Sequence, residues 1–161
     1  MATVRSDNVE STLPFDAIDR AALPIAGGKA ANLGELIRAG LPVPDGFCVT
    51  TAVYELVAED ADLAPTLTAL SKTRPEDTAR LAELAATMRA GLLAAHVPGA
   101  LVQAITAAYQ ALGNGVSVPV AVRSSATAED LPHATFAGQQ DTYLNVIGVE
   151  SLLDAVRHCW A

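Results

Sequence analysis

The segment VAVRSSATAEDLPHATFAGQQDTYLNV (120–146) decides how this chain is read. Val118, Val120 and Val122 alternate along its start, which is a strand signal, and TYLNVI (142–147) regains strand character at its end. Between them, 124–140 is rich in Ser, Thr, Ala and Gly, contains Pro132, and has almost no periodicity. A long polar loop inside a compact domain is more often functional than idle. Two strands joined by such a loop, in a chain whose alanine and leucine otherwise favour helices packed by small side chains, predict the α+β class.

Outward from that segment the elements are mostly helical. Downstream, SLLDAVRHCWA (151–161) begins an amphipathic helix with no Gly cap or proline breaker after Trp160, so the chain is expected to stop inside a helix. Upstream, 60–115 is a helical middle. Pro75 suits an N1 position, with Glu76 and Asp77 placed for the helix dipole. Leu81, Leu84, Met88 and Leu92 then form a core stripe. Pro98 opens another helix carrying Leu101, Ile105, Ala108 and Leu112, closed by Gly113, Asn114 and Gly115. Earlier still, GFCVTT (46–51) reads as a short strand, and Thr50 or Thr51 is placed to cap a helix over 54–59. The stretch 30–39 is helical, with Leu33, Leu36 and Ile37 on one face. Gly40 is its C′ residue, and Pro42 and Pro44 prevent continuation. A mixed stretch, 13–25, precedes Gly27 and Gly28, and 1–12 is a loose polar lead-in.

With 161 residues the chain can bury one core, as one domain with room for two lobes. Its formal charge of -8 repels nucleic-acid phosphate and anionic lipid, though a few local cations can still hold a nucleotide. No continuous apolar stretch marks a secretory signal or a membrane span. Cys48 and Cys159 form no CxxC pair, and His96, His133 and His158 show no zinc-ligand spacing. The expectation is a soluble, cytoplasmic protein with reduced, mostly buried thiols.

Lys29 follows two glycines at a loop-to-helix junction. Glycines let a backbone approach an anion closely, the first helical N–H groups point at it, and a lysine adds a mobile charge. A P-loop is excluded, because Leu23 and Ala30 stand where that motif needs Gly and Ser or Thr. On local chemistry alone, a plain turn with a solvated lysine is the favoured reading. Arg123 leaves an apolar strand just before Ser124 and Ser125, so a guanidinium and two hydroxyls meet where a strand enters a polar loop. An ordinary surface arginine is the alternative. In FAGQQDTYLN (136–145), Gly138 flanked by small and amide residues suits a flap over polyphosphate, with Gln139, Gln140 and Thr142 as neutral donors. A simple hairpin would look similar. Glu129, Asp130 and Asp141 are read as capping or solvated carboxylates rather than magnesium ligands or an acid–base pair, and no histidine belongs to a hydrolase triad.

Taken together, GGKAANLGEL (27–36), LPVPDGFCVTT (41–51), the segment 120–146 and the closing RHCWA (157–161) resemble one family. It is the ATP-binding domain shared by phosphoenolpyruvate synthase, pyruvate phosphate dikinase and rifampin phosphotransferase. The run from RSSATAEDLP into FAGQQ is the most specific part, and the resemblance covers about 27–161 with a variable helical middle. It implies the first lobe of an ATP-grasp-type domain, with a small mixed sheet and a helical insertion. It also implies a dikinase reaction, in which ATP becomes AMP and inorganic phosphate while the β-phosphoryl group passes to a histidine on a separate domain and then to an acceptor. Carried onto this sequence, Lys29 holds the triphosphate and Arg123 stabilises the phosphoryl group in flight. Ser124, Gly138, Gln139, Gln140 and Thr142 lie around the phosphates.

The resemblance further implies that the adenine contacts, the magnesium ligands and the phosphocarrier histidine lie beyond Ala161, so that 1–161 alone does not complete the reaction. Asp141 and Tyr143 favour rifampin phosphotransferases over phosphoenolpyruvate synthases, which often carry Glu and Phe there. Pyruvate is the competing acceptor, and a non-catalytic interaction module is the alternative from another class.

Overall fold

Each of the three strand signals becomes a strand in the computed structural model, which describes residues 10–127, 130–131, 134–135 and 141–161. A further strand, β1 (Thr12–Pro14), pairs antiparallel with β2 (Phe47–Val49). Two 3₁₀ turns lead from β1 into α1 (Leu23–Arg38), and α2 (Thr51–Asp60) follows β2 directly. The middle holds α3 (Ala64–Lys72), α4 (Thr78–Ala94) and α5 (Gly99–Leu112). β3 (Val120–Arg123) pairs antiparallel with β6 (Thr142–Val146). The short β4 (Asp130–Leu131) and β5 (Ala134–Thr135) pair with each other, and α6 (Val149–Trp160) ends the chain. The class is α+β. Among the described residues the strands form three antiparallel pairs rather than one mixed sheet, with β1 on β2, β3 on β6 and β4 on β5.

The helix ends follow capping chemistry. At the end of α1, Gly40 takes φ 74. Its N–H donates to Ile37 at 2.9 Å, while that of Leu41 reaches Leu36 at 3.0 Å. At the end of α5 the same pattern uses Asn114 in the left-handed conformation, with Gly115 N–H reaching Gln110. Two expectations shift. Pro75 lies before α4 rather than at its N1 position, because Asp77 caps the helix by accepting from Arg80 N–H at 3.1 Å. Thr50 is the N-cap residue of α2 by backbone, but its hydroxyl donates to the Glu10 carbonyl at 2.9 Å instead of capping. That bond and the one from Thr50 N–H to Ser11 tie down 10–12, which composition had assigned to the loose lead-in.

Among the described residues three apolar clusters hold these elements together. Leu13, Ile18, Ala26, Ala30 and Cys48 form the first, under α1. Val53, Val57, Ala95, Val97 and Leu101 form the second. Ile105, Tyr109, Leu152 and Val156 form the third, against the inner face of the β3–β6 ladder, where Val120, Val122 and Val146 pack. Each fully buried aliphatic side chain contributes roughly 1.5–3 kcal/mol. Tyr109, 1% exposed, also has a polar task. Its hydroxyl donates to the Val118 carbonyl at 2.7 Å and accepts from Gly148 N–H at 3.0 Å, joining α5 to the start of β3 and the start of α6. In the α4 stripe Leu84 and Leu92 are buried, while Leu81 and Met88 are half-buried. Among the described residues no single helix is long and apolar enough to cross a membrane; α4 and α5 together pass on length and composition but bend by 82° between them.

Candidate functional site

The helix α1 is broken at Gly27, whose φ of 77 and ψ of 170 are not helical. In an unbroken helix Gly28 N–H would donate to the Pro24 carbonyl, and Ala30 N–H to that of Ala26. Both bonds are exchanged for distant partners. Gly28 N–H donates to the Ala126 carbonyl at 3.0 Å, and the Pro24 carbonyl accepts from the Thr51 hydroxyl at 3.3 Å. Ala30 N–H donates to the Ser125 hydroxyl oxygen at 3.0 Å, and the Ala26 carbonyl accepts from the Cys48 thiol at 3.4 Å. The break leaves both N–H groups with partners, the Ala26 carbonyl sharing the single Cys48 thiol proton with that of Val49, and it seats the residues that follow β3 directly in the gap.

This corrects the expectation that the first N–H groups after the glycines point at an anion. Those of Gly28 and Ala30 are taken by the protein's own chain. The physical reason for Gly27 is close approach: a Cβ there would overlap the Ser125 carbonyl and lie 2.6 Å from the Ser125 oxygen Oγ. A side chain would push the 124–126 segment away.

The same contact brings the two candidate cations into one neighbourhood. Lys29, half-buried, lies between the two residues anchored to 125–126, and Arg123 lies two residues before Ser125. Bond lengths through this contact limit the Lys29–Arg123 Cα separation to at most roughly 15 Å. Within β3, Val120 and Val122 are half-buried against the third cluster, while Ala121 and Arg123 are exposed. Across the ladder Arg123 is the register partner of Thr142, which is also exposed, so the two residues stand opposite each other at the end of the strand pair. Ser124 is half-buried next in the chain. Gly138, Gln139, Gln140, Glu129 and His133 lie outside the described residues.

Beside the 124–127 segment is a cavity of about 550 Å³, within the range of small-ligand pockets. Its walls come from Ile25 and Ala26 before the break, Thr50, Thr51 and Tyr54 at the start of α2, Arg89 of α4, Asp141 and Tyr143, and 158–161. Lys29 and Arg123 are not among the described walls. The Tyr143 hydroxyl donates to Asp141 Oδ2 at 3.4 Å, and its ring meets that of His158 edge-on at 6.0 Å. Desolvation, and then the Asp141 charge, raise the Tyr143 phenol above its ordinary value. Cys159 is pushed to about 11 by desolvation and then by Asp141, and Cys48 to about 11 by burial. Both cysteines are free, and the raised values keep their thiols protonated at neutral pH. No group of three or more His, Cys, Asp or Glu side chains suited to a metal ion occurs among the described residues, so no magnesium step is assigned to them.

The family described as pyruvate phosphate dikinase, AMP/ATP-binding domain, matches residues 23–161. The chain belongs to this family. Relatives with two kinds of name are among its matches. A probable phosphoenolpyruvate synthase of Methanothermobacter thermautotrophicus is 46% identical over 151 residues, covering 91% of this chain and 22% of that protein. Rifampicin phosphotransferases of Bacillus cereus and Streptomyces sviceus are 43% and 46% identical, each covering 92% of this chain and 17% of the relative. The chain thus spans about a fifth of the length of these relatives. The two names occur at similar identity in these three relatives.

Sequence reasoning missed Ser125 as a partner of α1 and missed most of the cavity wall. The signal for Ser125 was present in Gly27, since a glycine pair states only that something approaches closely. Whether that something is an anion or the protein's own backbone is a tertiary fact.

Proposed function

We propose that this chain is the nucleotide-holding lobe of a dikinase-type phosphotransferase, with Lys29 and Arg123 directed at the triphosphate of ATP. The observation that carries the reading is the seating of 125–126 in the break of α1, which limits the two cations to one neighbourhood beside Thr142. Lys29 supplies a point charge for the phosphates, and Arg123 a planar fork for the oxygens of the group being transferred. Thr142 and Ser124 donate neutral hydrogen bonds. Gly138, Gln139 and Gln140, in the sequence between the two strands, complete the phosphate contacts. In phosphoryl transfer the protein's contribution is mostly positioning and charge stabilisation, which is what this set of residues offers.

In the complete reaction ATP, water and an acceptor yield AMP, inorganic phosphate and the phosphorylated acceptor. A histidine on another domain carries the β-phosphoryl group between the sites, and magnesium is held outside this segment. The acceptor we favour is rifampicin, on the Asp141–Tyr143 pair, in a cytoplasmic enzyme that inactivates the antibiotic. Pyruvate is the second reading, supported by the 46% identity to the probable phosphoenolpyruvate synthase.

The test is product analysis with the full-length protein, ATP and each acceptor in turn. AMP and phosphate released with phosphorylated rifampicin support the proposal. AMP with phosphoenolpyruvate moves it to the second reading. ADP as the sole nucleotide product refutes the dikinase assignment.

A further inference from the structure

We infer that Ser125 is a positioning residue for ATP, acting through Lys29; the inference rests on the proposed role of Lys29 and Arg123 at the triphosphate. After the break, the helix restarts with Gly27 at its N-cap, so Gly28, Lys29 and Ala30 are its first three residues. A helix start normally takes its cap from the residue at the N-cap, and glycine has no side chain to offer. Ser125, 95 residues away, supplies the missing oxygen to the third N–H at 3.0 Å. The Ala126 carbonyl takes the first N–H, also at 3.0 Å. Lys29 is the residue between these two anchors, so they fix the stretch of backbone from which its side chain leaves the helix.

Loss of the hydroxyl is expected to act on the break itself. Ala30 N–H regains its helical partner only if the break straightens toward the Ala26 carbonyl, which now accepts from Cys48. Straightening turns the first residues after Gly27, and Lys29 with them, relative to 123–126. Arg123 is two residues from Ser125 on the same short segment, so the serine is the point at which the two cations are held in register. A hydroxyl makes this link through one weak, directional bond, so its removal alters alignment more than it alters the core.

The experiment is steady-state kinetics of the full-length protein carrying Ser125→Ala, with ATP and acceptor varied separately. Melting temperature is recorded alongside, and Lys29→Ala serves as control. Loss of one hydrogen bond of ordinary strength corresponds to roughly three- to tenfold. The expected result is a KM for ATP raised by about that factor, with the KM for the acceptor within twofold of wild type. Ser125→Cys keeps the volume with only a weak acceptor and is expected to shift in the same direction by less. It replaces the alanine variant if that protein melts below the assay temperature. A wild-type KM for ATP in the Ser125 variants, with Lys29→Ala impaired, overturns the positioning role and leaves the site reading standing. Equal losses toward ATP and acceptor mark a general structural role and overturn it too. Wild-type kinetics in Lys29→Ala overturn the site reading itself, and the inference with it.

Discussion

Replacing Gly27 by alanine tests the seating of the 125–126 segment most directly, and its neighbour provides the control. At φ 77 and ψ 170 the Gly27 backbone lies in a region essentially closed to other residues; forcing a side chain into it costs about 1–3 kcal/mol. The new Cβ would overlap the Ser125 carbonyl, with the Ser125 oxygen Oγ only 2.6 Å away. The segment must therefore shift, and the bonds from Gly28 and Ala30 to Ala126 and Ser125 are lost or weakened. At roughly 0.5–1.5 kcal/mol each, they bring the total to about 2–6 kcal/mol. That is a large share of a typical stability of about 5–15 kcal/mol. At Gly28 the same substitution meets only Ala126 O at 3.8 Å, an ordinary contact, and the backbone is helical. Alanine there is expected to be neutral or stabilising by up to about 1 kcal/mol. Urea denaturation of the two variants beside wild type measures both values, and melting should fall by roughly 5–20 °C for Gly27→Ala alone. Equal stabilities for the two variants, or a Gly27→Ala loss below about 0.5 kcal/mol, would refute the close-approach argument.

Tyr109→Phe keeps the ring but leaves the Val118 carbonyl and Gly148 N–H without their partner; it should cost about 1–3 kcal/mol by urea denaturation, with little change in far-UV circular dichroism. Arg123→Ala in the full-length protein should abolish AMP formation without altering melting, because the side chain is exposed at a strand end; wild-type turnover would remove Arg123 from the mechanism. Cys48, raised from the ordinary 9.0 to about 11 by burial, favours its neutral form in the fold. Its contribution is therefore whole below about pH 9 and is lost as pH rises through about 11, so stability measured against pH should fall across that window, and less so in Cys48→Ala. The thiol should also resist iodoacetamide at pH 8 until the protein is unfolded, and rapid alkylation of the native protein would contradict this.

The periodic and capping signals were legible because they are local. Gly40 and 113–115 end helices for reasons contained within a few residues, and the alternation of Val118, Val120 and Val122 reports a face packed against Ile105 and Leu152. Less legible were the features that depend on partners far along the chain. Thr50 sits where a cap belongs, yet its hydroxyl serves the Glu10 carbonyl, 40 residues earlier. Tyr109 lies on the apolar stripe of α5 and escaped notice because its hydroxyl partners, Val118 and Gly148, are reached only after folding. The family was readable from 27–36, 41–51 and 120–146, and the match over residues 23–161 bears that out.

The glycine pair shows how one local pattern supports two physical readings. Both readings need small residues at a helix start, and they differ in what occupies the space a Cβ would fill. An anion cradle leaves the first N–H groups open to solvent; here those of Gly28 and Ala30 are occupied by 125–126. On the proposed reading the phosphate-holding task then falls on side chains, Lys29 and Arg123, and the backbone's task is to hold them near each other. This division suits a lysine and an arginine drawn from segments 94 residues apart in sequence, since neither element alone fixes the distance between their charges. If Gly27 and Ser125 set that distance, substitutions at either should disturb ATP handling more than any substitution on the far side of α1, and the defect should scale with loss of the Ala30–Ser125 bond rather than with loss of net charge.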